Sequence, residues 1–137
     1  MMEEKKIDKY NVGDSSSLEV IATEDLFNQI AELSGDKNPI HIDEEYAEKT
    51  IFKGRIAHGL FCLGMVSNVI AKDLPGEGAI LLEETIQYVQ PVYIGDKIKC
   101  ICVIEGKDRN KNKLRIGIKC INQDMHIVLS GNVIVRV

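Results

Sequence analysis

The chain has 137 residues, enough for one domain spanning 1–137 with a real hydrophobic core. Hydrophobic residues make up 45% and charged residues 28%, a globular balance that excludes wholesale disorder. A net charge of -4, from 17 Lys and Arg against 21 Asp and Glu, argues against a dedicated nucleic-acid partner.

Met1 to Tyr10 is polar and Lys-rich, without the apolar stretch of a signal peptide. No run approaches the roughly 18–20 apolar residues that cross a bilayer, so no membrane partner is expected. Ser17 to Ala22 reads as a short strand. Thr23 then suits a helix N-cap, with Glu24 and Asp25 in the first turn, where the helix dipole favours anions. Phe27, Ile30, Ala31 and Leu33 recur at helical spacing, and Gly35 ends the helix. Asp36 to His41 contains Pro39 and is read as a bent, non-helical loop. Asp43 caps a short helix through Glu44, Tyr46 and Ala47.

From His58 to about Lys72 apolar residues cover nearly the whole helical circumference, which predicts a buried helix. Fifteen residues at about 1.5 Å each span roughly 22 Å, enough to cross a small sheet. Strands follow at Ala79 to Gln90, Lys97 to Lys107, Leu114 to Ile121 and His126 to Val137, with turns at Gly95-Asp96, Asp108 to Lys113 and Asn122 to Asp124. In the third of these, Leu114, Ile116, Ile118 and Cys120 alternate with mostly polar residues. The layout is α+β: an antiparallel sheet wrapped on one long helix. Cys100 and Cys102 are placed on opposite faces of a strand, where they cannot bridge, and Cys62 and Cys120 read as small core residues. With no zinc-type Cys/His spacing, no metal site is expected, and a reducing cytoplasm is the natural compartment.

Asp36 and His41, five apart in the bent loop, can converge on one water molecule. Such a pair can move protons near neutral pH. On spacing alone, a turn-organising Asp and a solvated His explain the same residues. At Ala57-His58-Gly59 the helix begins, and its free N–H groups can receive negative charge. Gly59 would let a carbonyl approach the backbone, although most helix starts bind nothing, and a glycine packed against the sheet with a capping His58 is the commoner reason for such residues. Ser67 is one polar residue on the apolar helix, bonded to its own helix or facing the site. Lys53 and Arg55 could reach ligand phosphates, but surface cations are usually solvated and no role is assigned to them.

Three ordered motifs now converge. Ala31-Glu32-Leu33-Ser34-Gly35-Asp36-Lys37-Asn38-Pro39-Ile40-His41 resembles the hydratase-2 signature of MaoC-like (R)-specific enoyl-CoA hydratases. Phe52 to Gly59 resembles the segment that opens their central helix. Gln90 to Asp96 is close to their F-x-x-P-V-x-x-G-D pattern, with Tyr88 near the place of the family's Phe.

The resemblance implies a hot-dog fold, usually paired as a homodimer with its sheets joined edge to edge. It assigns Asp36 and His41 the catalytic roles, Gly59 the support of the thioester oxygen, Asn38 the shaping of the loop, and Ser67 the ordering of the histidine region. The implied reaction is reversible addition of water to a trans-2-enoyl thioester, with coenzyme A or an acyl-carrier protein as carrier and no cofactor. The rival expectations are a hot-dog acyl-CoA thioesterase and a non-catalytic acyl-CoA-binding domain.

Overall fold

A computed structural model describes residues 3–137; Met1 and Met2, the start of the polar N-terminal stretch, lie outside the described residues. After a 3-10 turn at Lys6–Lys9 come β1 (Ser15–Ile21), α1 (Glu24–Ser34), α2 (Pro39–Ile42), α3 (Glu44–Glu48) and α4 (Gly59–Lys72). Four strands close the chain: β2 (Ile80–Tyr88), β3 (Lys97–Asp108), β4 (Lys113–Ile121) and β5 (Ile127–Arg136). They form one antiparallel sheet with β1, in the order β1-β3-β4-β5-β2.

The sheet curls around α4. Phe61, Met65, Val66 and Val69 of the helix are buried in one cluster with Ile98 and Ile104 of β3, Ile116 of β4 and Val133 of β5. At roughly 25 cal/mol per Å² of apolar surface, such side chains supply most of the drive to fold. The predicted alternation on β4 holds: Leu114, Ile116, Ile118 and Cys120 are all buried. Thr23 caps α1 by accepting from the Leu26 N–H at 3.2 Å, and Gly35 ends it with φ 75°, a value that favours glycine. Asp43 caps α3 as predicted, through the Tyr46 N–H at 3.1 Å.

Three expectations need correction. Cys100 and Cys102 do not face opposite ways: both are buried, because residues two apart on a strand share a face. All four cysteines are free thiols in the core. Hydrogen bonding to Cys100, for Cys120 also to Cys62, and then burial push the Cys102 and Cys120 thiols up, while the same bonds from Cys102 and Cys120 hold Cys100 down. The loop at Pro39 is in fact a one-turn helix, since proline at the first helical position costs no hydrogen bond. Finally, α4 is not covered all round: Leu60, Gly64, Ser67 and Asn68 form an exposed stripe that lines a groove of about 640 Å³ against α1, β1 and β2.

The third motif is a clamp for the segment entering α4. Gly95 turns with φ 95°, and Asp96 Oδ2 accepts from the Tyr93 N–H at 2.9 Å. The Ala57 N–H donates to the Val92 carbonyl at 2.8 Å, and Ile56 bridges Tyr93. Tyr93 donates its hydroxyl to the Phe52 carbonyl at 2.8 Å. The approach to α4 is thereby fixed to the connection between β2 and β3.

Candidate active site

Gly35 turns the chain out of α1 and delivers Asp36 at once. One carboxylate oxygen of Asp36 accepts from the Asn38 N–H at 3.1 Å, and the Asn38 side chain accepts from the Ile40 N–H at 3.3 Å. Asn38 is thus both the hinge after Asp36 and the N-cap of α2. One turn on, His41 points back toward Asp36. Its Nε2 lies 3.8 Å from Asp36 Oδ2. That gap is too long for a direct hydrogen bond, and it lets both atoms hold one water.

The tautomer of His41 follows from its other nitrogen. Nδ1 lies 2.8 Å from the Ile56 carbonyl oxygen, which can only accept, so Nδ1 carries the hydrogen. In the neutral ring Nε2 is then a lone pair facing Asp36.

Two residues without an assigned role hold this pair in place. His58 is 3% exposed, and its ring stacks on His41 with centroids 3.8 Å apart. Its Nε2–H donates to the Asp36 backbone carbonyl at 2.8 Å, while its buried Nδ1 has no partner among the described residues. Arg55, 5% exposed, donates from Nε to the His41 carbonyl at 2.7 Å, from Nη1 to Glu24 at 2.9 Å and from Nη2 to Asn28 at 2.9 Å. It is a buried brace rather than a surface cation. Proximity in sequence could not reveal either role, because each partner lies 14 or more residues away.

Asp36, His41 and His58 offer ligand atoms within 4.8 Å of one another, a grouping that can approach a cation. The Nε2 of His58 is committed as a donor to Asp36, however, which leaves two open ligands rather than three.

Beside the pair opens a cavity of about 590 Å³, lined by Asp36, His58, Gly59 and Tyr88 and walled by Phe52, Cys62, Val92 and Leu129 among others. Gly59 is the first residue of α4, so its N–H has no acceptor within the helix and lies at the positive end of the dipole. Asp36, the helix start and the apolar cavity are therefore contiguous, whereas His41 meets Asp36 without itself lining the cavity. Ser67 stands apart: it is exposed, two turns along α4, and lines the other groove instead.

Known proteins resemble the chain in sequence and in fold. The family described as MaoC like domain matches residues 11–122. A 3-hydroxybutyryl-CoA dehydratase of Methylorubrum extorquens is 37% identical over 128 residues, 88% of this chain and 81% of the relative. An (R)-specific enoyl-CoA hydratase of Rhodospirillum rubrum is 40% identical over 94 residues, 69% of this chain and 65% of the relative. Among solved structures, an (R)-hydratase from A. caviae superposes with a TM-score of 0.91 at 25% identity, covering 93% of this chain and 97% of that one. The hot-dog architecture expected from the sequence is the one found, and the chain belongs to the MaoC-like domain family.

Proposed function

We propose that the chain is an (R)-specific enoyl-CoA hydratase, which in reverse dehydrates a 3-hydroxyacyl thioester. The observation that carries this reading is the 3.8 Å gap between His41 Nε2 and Asp36 Oδ2, opening beside the Gly59 helix start. A water placed there can donate one hydrogen to each acceptor, which turns an oxygen lone pair toward the cavity. Attack on the β-carbon of a conjugated thioester forms the C–O bond. The π electrons move toward the carbonyl, and negative charge builds on its oxygen. The Gly59 N–H and the helix dipole stabilise that charge as it develops. One water proton is taken up by the pair, and one proton is delivered to the α-carbon, so the product is the neutral 3-hydroxyacyl thioester.

This chemistry calls for no metal and no cofactor. Coenzyme A is the favoured carrier, since both curated relatives above are named for CoA thioesters. Four free thiols suit a reducing cytoplasm, and no described helix is long and apolar enough to cross a membrane.

The test is crotonyl-CoA mixed with purified protein, followed by loss of the conjugated-thioester absorbance, with stereospecific dehydrogenases identifying the alcohol. The expected outcome is the (R)-alcohol, with activity lost in Asp36→Ala and in His41→Ala. Release of free thiol with the double bond intact would mean a thioesterase. If crotonyl-CoA binds and nothing reacts, the chain is a binding domain.

A further inference from the structure

The Gly59 N–H is not the only donor at this end of α4. A Cβ built on Gly59 would stand 2.7 Å from both Cζ and Oη of Tyr88, and 2.8 Å from its Cε1. The tip of the phenol therefore lies directly over the glycine. In a helix the Cα–Cβ bond tilts toward the N-terminus, the direction in which the first-turn N–H groups also point. Tyr88 Oη thus stands beside the space that the Gly59 N–H faces, and both residues line the cavity that holds Asp36.

The placement is built rather than incidental. Tyr88 is the last residue of β2 and is paired in register with Leu129 of β5, so the sheet presents the ring. No described residue occupies its hydroxyl, which leaves the hydrogen free to donate. Desolvation first, then the neighbouring Glu84 and Cys62, raise the phenol's pKa above its ordinary value, and the group stays protonated through the neutral range. A phenylalanine here, as in the family's F-x-x-P-V pattern, would fill the same space and donate nothing.

We propose that the Tyr88 hydroxyl is a second hydrogen-bond donor to the thioester carbonyl oxygen, acting with the Gly59 N–H as negative charge develops there. The proposal rests on the hydratase reading. Tyr88 keeps its proton throughout: it stabilises charge but transfers nothing, so the water supplies both the hydroxyl and the proton balance as before. Two donors reaching one oxygen from a helix and from a strand fix the carbonyl plane, and with it the face of the double bond turned toward the Asp36–His41 water.

The test is Tyr88→Phe, which keeps the ring and its packing. With crotonyl-CoA, kcat is expected to fall by about tenfold to a hundredfold with KM little changed, since losing one oxyanion donor acts on the transition state. The second readout does not depend on turnover: the carbonyl infrared band of bound butyryl-CoA labelled at the thioester carbon, which cannot be hydrated. The wild-type band is expected at lower frequency than the band in Tyr88→Phe, because each hydrogen bond weakens the C=O bond. Equal bands overturn the proposal whatever happens to kcat. So do an unchanged kcat and a failure of butyryl-CoA to bind the wild type. A wild type that shows the band difference and hydrates no enoyl thioester would keep the Tyr88 contact and sink the hydratase reading instead.

Discussion

A histidine ring has two nitrogens, and His41 has one to spare. The other is held by the Ile56 carbonyl, which leaves Nε2 to face Asp36 across a gap of 3.8 Å. The precision of that arrangement rests on His58, which no spacing argument had assigned beyond capping a helix. It caps nothing with its side chain. Instead it anchors the Asp36 backbone through Nε2 and supports the His41 ring by stacking, at the expense of a buried, unpartnered Nδ1. An orphaned buried acceptor of this kind costs about 1–3 kcal/mol, so the two contacts it accompanies must be worth at least as much. His58→Leu removes the donor and the flat ring together. Its kcat is expected to drop by about tenfold to a hundredfold, the scale that a shift of about 1 Å in a reacting group produces. His58→Gln restores an N–H at similar reach and should recover part of the loss. Steady-state kinetics of the three proteins decide the matter, and equal kcat in His58→Leu and wild type would remove His58 from the machinery.

The elements were legible in the sequence where a local signal marks both ends. Thr23 and Gly35 bracket α1, Asp43 opens α3, and strict alternation gives β4. α2 was not legible, because proline is read as a breaker while the first helical turn welcomes it. The site divides in the same way. Asp36, His41 and Gly59 stand in motifs, but the brace that holds α1, α2 and the approach to α4 together is a single arginine whose burial is a tertiary fact. Arg55 donates to the His41 carbonyl, to Glu24 and to Asn28, and its guanidinium carbon lies 6.0 Å from the Phe27 ring centroid. Lysine cannot reproduce that fork. Arg55→Lys is expected to lower stability by about 2–3 kcal/mol, the scale of a lost charged hydrogen bond with its acceptor left dry. Glu24→Gln should cost under about 1 kcal/mol, because the Glu24 side chain is 68% exposed and water replaces the ion pair. Urea denaturation of both variants checks the ranking, and equal losses would show that the ion pair, rather than the bonds to His41 and Asn28, is what Arg55 supplies.

At the scale of the whole molecule the two edges of the sheet are unlike. β1 presents Ser15, Ser17 and Glu19 to solvent and exposes one large apolar residue, Ile21 at its end, a mostly polar edge of the kind that discourages pairing. β2 exposes Ile80, Leu81 and Leu82, with Val89 just beyond it. Alongside lies the uncovered stripe of α4, where Leu60 is 50% exposed and borders both the cavity beside Asp36 and the second groove. A single chain gains nothing by leaving an apolar edge strand and an apolar helix stripe in water, whereas a second copy seated there would bury both. The expected state is therefore a homodimer paired across the β2 side, which would close the groove around Ser67 and one wall of the cavity beside Asp36. Sedimentation velocity at micromolar concentration should show a species of twice the chain mass. Leu82→Glu combined with Val89→Glu places repelling charges on that edge, and should shift the protein toward monomer with a loss of hydratase activity. Circular dichroism of the double variant would confirm that the monomer remains folded, since β2 keeps its antiparallel pairing with β5 on the other side. A wild type that sediments as a fully active monomer would mean that the β2 edge is tolerated bare, and that the cavity is complete within one chain.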